Sequence, residues 1–154
     1  APNAEYLKMT AADVREARDT LSTTTSDKLD AVSLGTPHFS VDEYRALSEV
    51  IGDGPKFAEQ IDFYISTSRD VMARSKELGY LDVFLNAGGR VVTDTCTYVT
   101  PVLNRNVKNV MTNSGKWAWY APGNLGIDTV LGSLSECVAS ARAGKVVRDE
   151  SLWA

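Results

Sequence analysis

Lys108-Asn109-Val110-Met111-Thr112-Asn113-Ser114-Gly115-Lys116-Trp117-Ala118-Trp119-Tyr120-Ala121-Pro122-Gly123 is the stretch on which the fold turns. Residues 108–111 read as a short strand that opens into a polar, backbone-rich segment. Asn113 and Ser114 offer short hydrogen-bonding groups, Gly115 lets a ligand approach the main chain, and Lys116 adds a positive charge. That mixture suits a small anion, a carboxylate or a phosphate. A hairpin with buried aromatics is the competing reading, because Trp117, Trp119 and Tyr120 are bulky for a solvent-facing loop.

The same kind of strand ending recurs on both sides. Apolar residues 29–34 run into Gly35-Thr36-Pro37-His38, and residues 61–65 into Ser66-Thr67-Ser68-Arg69. Residues 90–93 run into Asp94-Thr95-Cys96, and residues 127–131 into Gly132-Ser133. Helical patterns lie between most of these strands. Thr10 caps a helix over 10–21, with Asp13 in its first turn and Val14, Ala17, Arg18 and Leu21 at helical spacing. Ser40 and Glu43 form a capping box for a helix to about residue 51, with Val41, Tyr44, Leu47 and Val50 on one face. A third helix runs through Val71, Met72 and Leu78 to Gly79, and a short one covers 81–86. Ser133 and Glu136 open a last helix that Gly144 ends. Strands alternating with capped helices predict an α/β fold of three layers, a parallel sheet of about five strands flanked by helices. In such sheets ligands sit at the carboxyl ends of the strands, so the polar clusters are expected to converge on one edge. The domain is expected to span 10–146, with 1–9 a linker or continuation from an upstream segment and 147–154 a tail or continuation.

Composition narrows the function classes. The chain has 154 residues, 44% hydrophobic and 23% charged, an ordinary globular balance. A net charge of -4 with scattered basic residues argues against a nucleic-acid surface. No apolar run approaches the roughly 20 residues of a membrane span, and no signal-peptide pattern opens the chain, which begins at Ala1. Cys96 and Cys137 are too few for a disulfide framework and fit a reducing, cytoplasmic compartment; a single bridge between them is the alternative. The short fingerprints of dinucleotide, P-loop, nucleophile-elbow and Cys-x-x-Cys sites are absent.

Three side chains carry a choice. Cys96, beside Asp94, Thr95 and Thr97, reads as a thiol in a polar loop: a nucleophile with His38 as base, a metal ligand, or an inert cysteine. His38 sits in a tight strand-to-helix loop shaped by Gly35, Thr36 and Pro37, where it contacts a substrate or simply holds the loop. Arg69 clamps a carboxylate or stands solvated; a cation at a helix N-terminus opposes the macrodipole, which favours the first. Cys137 falls among Leu134, Val138 and Ala141 and reads as a small core residue.

Taken together, Gly35-Thr36-Pro37-His38-Phe39-Ser40, Thr93-Asp94-Thr95-Cys96, Met111 to Lys116 with Tyr120-Ala121-Pro122-Gly123, and Gly132-Ser133-Leu134-Ser135-Glu136-Cys137-Val138 resemble the aconitase X family, in that family's order and over about residues 10 to 146. The resemblance implies part of a hydro-lyase that dehydrates a small hydroxy acid, first cis-3-hydroxy-L-proline, with phosphomevalonate as the alternative in the same family. It implies an iron centre as Lewis acid, either an iron–sulfur cluster of two irons and two sulfurs or a single iron, with Cys96 as a metal ligand. Read with that chemistry, His38 is the catalytic candidate, and Ser68, Arg69, Thr112, Asn113, Ser114 and Lys116 are the candidate substrate-binding set. The family's large region is several hundred residues long and is followed by a small swivel domain. The implied partners are therefore an upstream cysteine-bearing region and that swivel domain, fused or separate, and the chain alone is expected to be inactive. Tryptophans at 117 and 119 stand where the family more often has tyrosine and histidine, a departure that bears on the substrate. A free-standing, non-catalytic domain that binds a small anion is the reading from a different class.

Overall fold

The computed structural model describes residues 4–36, 38–97 and 99–154. Five strands form one parallel sheet in the order β3-β2-β1-β4-β5: β1 (Ala31–Leu34), β2 (Asp62–Thr67), β3 (Arg90–Thr93), β4 (Asn109–Thr112) and β5 (Asp128–Leu131). Helices α1 (Ala11–Leu21), α2 (Val41–Ile51), α3 (Arg69–Glu77), α4 (Tyr80–Asn86), α5 (Gly115–Leu125) and α6 (Leu134–Ala143) flank it, and a short 3-10 turn spans Glu150–Trp153. The expected three-layer α/β architecture is thus present.

Strand β1 is buried along its whole length, as the middle strand of a sheet covered on both faces must be. Its alternation sorts the two layers. Val32 and Leu34 join Phe39, Tyr44, Leu47, Phe63, Ile65, Phe84 and Val138 in the larger core beneath α2, α4 and α6. Ala31 faces the other way, with Val110, Trp117 and Ala121 in the smaller core. Phe63 and Phe84 meet edge to face at 5.2 Å, and Phe39 and Tyr44 at 5.1 Å, the arrangement that ring quadrupoles favour. Burial pushes the Tyr44 phenol upward, because the charged form loses its hydration.

The capping boxes form as expected at Ser40/Glu43 and Ser133/Glu136, and Thr10 pairs with Asp13 in the same way. Some details differ. On α2, Ile51 is buried where Val50 was expected, because 44, 47 and 51 keep to one side of the helix. Val14 of α1 is exposed while Arg18 is buried, its guanidinium paired with Asp19 at 2.7 Å and Glu150 at 2.9 Å and stacked over Trp153. α3 ends at Glu77, so Leu78 is an exposed cap residue rather than part of an apolar face.

The main correction concerns residues 115–125, which are neither a strand end nor a hairpin but helix α5. Ser114 caps it, accepting from the Trp117 amide at 3.2 Å. Trp117, Ala118 and Ala121 form its buried stripe, at the i, i+1, i+4 spacing of one helical face. Trp119 and Tyr120 point outward; Trp119 is 66% exposed. Pro122 removes the amide that the Ala118 carbonyl needs, and the Thr129 hydroxyl approaches that carbonyl at 3.5 Å.

The two sheet edges are handled differently. Along β5 the chain at Ser22-Thr23 acts as a partial extra strand: the Thr23 amide donates to the Thr129 carbonyl at 2.9 Å, and the Leu131 amide to Ser22 Oγ at 3.1 Å. Arg148 donates to the Leu131 carbonyl. At β3, Arg90 pairs with Asp62 at 2.6 Å and lies over the Tyr64 ring. A charged side chain across an edge disfavours further strand pairing.

Candidate functional site

All five strands run the same way, so their carboxyl ends share one edge of the sheet. The order β3-β2-β1-β4-β5 also places a switch point between β1 and β4, because the chain moves outward from β1 in both directions. Crevices at such points are the usual ligand sites of open parallel sheets. Thr36 and His38 follow β1, Asn113 and Ser114 follow β4, and Ser68 and Arg69 follow β2 on the far side of β1.

Hydrogen bonds fasten these loops to one another. The Phe39 amide donates to the Ser66 carbonyl at 2.8 Å, and Thr67 Oγ1 returns a bond to the Phe39 carbonyl at 2.7 Å. The Asp94 amide donates to the Thr67 carbonyl at 2.9 Å. Ser114 Oγ donates to the Thr36 carbonyl at 3.0 Å and so ties the β4 loop to the β1 loop. Buried Thr97 holds the chain after β3: its hydroxyl shares a proton with Ser33 Oγ at 2.6 Å and accepts from Trp117 Nε1 at 2.8 Å. Nothing local in the sequence signals Thr97, Ser33 and Trp117 as a unit, since they come from three distant segments.

Gly35 lets the β1 loop close. Its φ is +80°, and a Cβ there would lie 2.3 Å from the Ser66 carbonyl oxygen and 2.7 Å from Phe39 Cβ. Pro37, expected to shape the same loop, lies outside the described residues.

The substrate-binding set expected from sequence divides. Thr112 is fully buried, and its Oγ1 accepts the Ser114 amide at 3.1 Å. Thr112 and Ser114 therefore build the turn, as does Ser68, which caps α3 by accepting from the Val71 amide at 3.2 Å. Asn113 is half-buried and Lys116 exposed, both beside the first turn of α5. Arg69 is exposed and donates through Nε to Asp94, whose other oxygen accepts the Arg69 amide at 3.3 Å. Those hydrogen bonds, with a smaller contribution from the His38 charge, hold the Asp94 carboxyl below the usual aspartate range. Asp94 itself has φ +59°, a conformation in which only glycine, asparagine and aspartate are at ease. Arg69 is thus both solvated and paired, and His38 is exposed close to that pair.

Cys96 is buried, at 8% exposure, which corrects the expectation of a thiol in an open polar loop. Cys137 is the core residue expected, fully buried, its thiol pushed upward by desolvation and then by Glu136. Both cysteines are free. Among the described residues no group of three or more His, Cys, Asp or Glu side chains is placed to hold a metal. The described residues therefore do not make up a complete ligand set for an iron centre. Two hydroxyls at the same strand ends, Thr36 Oγ1 and Ser66 Oγ, are buried without a hydrogen-bond partner among the described residues. A cavity of about 160 Å³ lies between Thr97, Leu103, Arg105, Val107, Leu125 and Ile127, so Thr97 borders it from the side of the site.

A parallel α/β domain with a cross-linked strand-end crevice is a frame for binding a small polar ligand. Comparison with known proteins shows the family. The description "Aconitase X third domain" matches residues 29–143, and the chain belongs to the aconitase X family. The chain is 38% identical over 126 residues to the phosphomevalonate dehydratase large subunit of Methanothermobacter thermautotrophicus, covering 82% of this chain and 31% of that one. It is 33% identical over 142 residues to cis-3-hydroxy-L-proline dehydratase of Pseudomonas aeruginosa, covering 91% and 24%. The crystal structure of Thermococcus kodakaraensis aconitase X in its holo-form superposes with a TM-score of 0.72 at 27% identity, covering 84% of this chain and 33% of that one. The chain thus spans a quarter to a third of the length of these relatives. No helix among the described residues is long and apolar enough to cross a membrane.

Proposed function

We propose that this chain is the part of an aconitase X hydro-lyase that receives the anionic end of a small hydroxy acid and contributes one thiolate, Cys96, to an iron centre. What supports the reading is that Thr36, His38, Cys96, Asn113 and Lys116 all follow the carboxyl ends of parallel strands, in loops fastened by hydrogen bonds of Thr97, Ser114 and Phe39. An iron centre held in part by Cys96 would supply Lewis acidity toward a hydroxyl group. The residues of this chain hold the substrate around it. Lys116 and the amide-rich start of α5 offer positive charge and donors to an anion, and Asn113 offers a neutral amide. His38, exposed beside the Arg69–Asp94 pair, contacts the substrate from the β1 side. The remaining iron ligands and the proton-abstracting base come from the rest of the enzyme, which also covers the exposed Trp119 and the apolar stripe of α1 at Ala17 and Leu21. A cytoplasmic setting fits two free thiols.

The order of substrates expected from sequence is reversed here. The higher identity to a phosphomevalonate dehydratase large subunit supports a phosphorylated hydroxy acid first, and a cation at a helix N-terminus suits a phosphate. cis-3-Hydroxy-L-proline is the second reading, supported by the 33% match that covers 91% of the chain.

Two outcomes test this. Lys116→Met in the complete enzyme lowers kcat/KM by roughly ten- to a hundredfold, the scale of one charge-assisted hydrogen bond. An unchanged kcat/KM in the folded variant removes Lys116 from the site. The 154-residue chain alone, reconstituted with iron and sulfide, turns over neither substrate. Turnover by the isolated chain would place a complete site within it, and binding of the anion without turnover by the complete enzyme would favour the non-catalytic domain.

A further inference from the structure

The smaller core has a gap. Between Leu103, Val107, Leu125 and Ile127, on the α5 side of the sheet, lies the cavity of about 160 Å³ that Thr97 borders. Val107 and Ile127 are buried, and Leu103 and Leu125 pack against the same core. A cavity of about 150 Å³ with aliphatic walls stays dry and holds a molecule the size of benzene. This gap therefore has room for an apolar body of about six carbons.

The polar groups around it are of two kinds. Thr97 and Asn104 build the fold. Thr97 Oγ1 bonds Ser33 Oγ at 2.6 Å and accepts from Trp117 Nε1 at 2.8 Å, and Asn104 Oδ1 accepts the Asn106 amide at 3.2 Å. Arg105 and Lys108 are exposed, and neither side chain forms a hydrogen bond or ion pair among the described residues. No carboxylate among the described residues lines the cavity. Asp30, whose Oδ2 accepts the Lys108 and Asn109 amides at 2.8 Å, is turned to the main chain instead. Hollows elsewhere on the surface differ: Asp13 and Glu16 rim the one beside Trp119, and Asp19, Asp27 and Glu150 the one beside Arg148. In a chain of net charge -4, an apolar gap with two unpaired cations and no acid selects an anion.

We propose that this cavity binds a small monocarboxylate with a compact apolar body, the body among Leu103, Val107, Leu125 and Ile127 and the carboxylate at Arg105 and Lys108. The aliphatic walls favour burial of a ring or short chain. The two cations hold the charged end at the mouth, where water still reaches it, and a guanidinium matches the two oxygens of a carboxylate. A phosphorylated hydroxy acid carries polar groups along its length and would leave them unpaired against these walls. The ligand is therefore not the anion received at Lys116. The site needs no metal, and it stands whether or not Cys96 ligates one.

Benzoate is the probe, with benzyl alcohol and benzylamine as its neutral and cationic counterparts. Titration calorimetry of the complete enzyme is expected to show benzoate binding, with benzylamine weaker by about tenfold or more, the scale of one charge-assisted hydrogen bond. Arg105→Gln combined with Lys108→Gln is expected to weaken benzoate about tenfold and to leave benzyl alcohol unchanged. Both side chains are exposed, so the double variant is expected to fold. Leu103→Phe, which fills the gap, is expected to abolish binding of both probes. Lys116→Met is expected to bind benzoate as wild type does; weaker binding there would place benzoate at the start of α5 and overturn the proposal. Equal affinity for the three probes, or an unchanged benzoate affinity in the double variant or in Leu103→Phe, also overturns it. Binding by the 154-residue chain but not by the complete enzyme would mean that the rest of the enzyme fills the cavity, and would overturn it as well.

Discussion

Cys96→Ser in the complete enzyme is expected to abolish the iron-dependent visible absorption and the dehydratase activity together. The two losses are coupled because Cys96 is the thiol of the loop after β3; Cys137 is fully buried in the larger core. Serine is nearly isosteric, so the loop held by Thr97, Ser33 and Trp117 should persist, and loss of function would then report chemistry rather than unfolding. A hydroxyl is also a far poorer ligand for a soft or borderline iron site than a thiolate. Retention of absorption and activity at wild-type levels would remove Cys96 from the metal and return it to the role of an inert buried cysteine.

Gly35→Ala carries the largest expected effect on stability. A left-handed φ costs a residue with a Cβ about 1–2 kcal/mol. The new methyl would also overlap the Ser66 carbonyl oxygen, which accepts the Phe39 amide and so cannot move without opening the β1 loop. Overpacking of this kind costs about 1–3 kcal/mol more. The sum, roughly 2–5 kcal/mol, is a large fraction of the roughly 5–15 kcal/mol that holds a domain folded. Urea unfolding of the isolated chain measures it directly. A change below about 1 kcal/mol would show that the loop opens readily and that the crevice is not rigidly built. By contrast, Gly79 and Gly126 also have left-handed φ, but a Cβ at either meets nothing within 4 Å, so alanine there is expected to cost only the backbone term.

Much of the fold was legible because its signals are local. Ser40/Glu43 and Ser133/Glu136 mark helix starts within four residues, and β3 was read with the bounds it has in the structure. The parallel sheet followed from the alternation of those elements. Helix α5 was not legible. Gly115, Pro122 and Gly123 are poor helix residues, and their cost is offset by burial of Trp117 and Ala121 against strands that the local sequence does not contain. The site shows the same division. Glycine, threonine and serine after the strands gather at one edge of the sheet, as expected, but which of them build the loops did not show. Thr112 and Ser114 turn out to build the loops, while Asn113 stays half-buried and Lys116 exposed. The depth of Cys96 was missed for the same reason. The segment that carries it is anchored at both ends to distant residues, Asp94 to Thr67 at 27 residues' separation and Thr97 to Ser33 at 64.

The most direct test of the central claim is anomalous diffraction at the iron edge from crystals of the complete enzyme. An iron peak bonded to Cys96 Sγ, beside the strand ends of β1 and β4, is the predicted result. Iron held by other residues, with Cys96 packed away from it, would contradict the account.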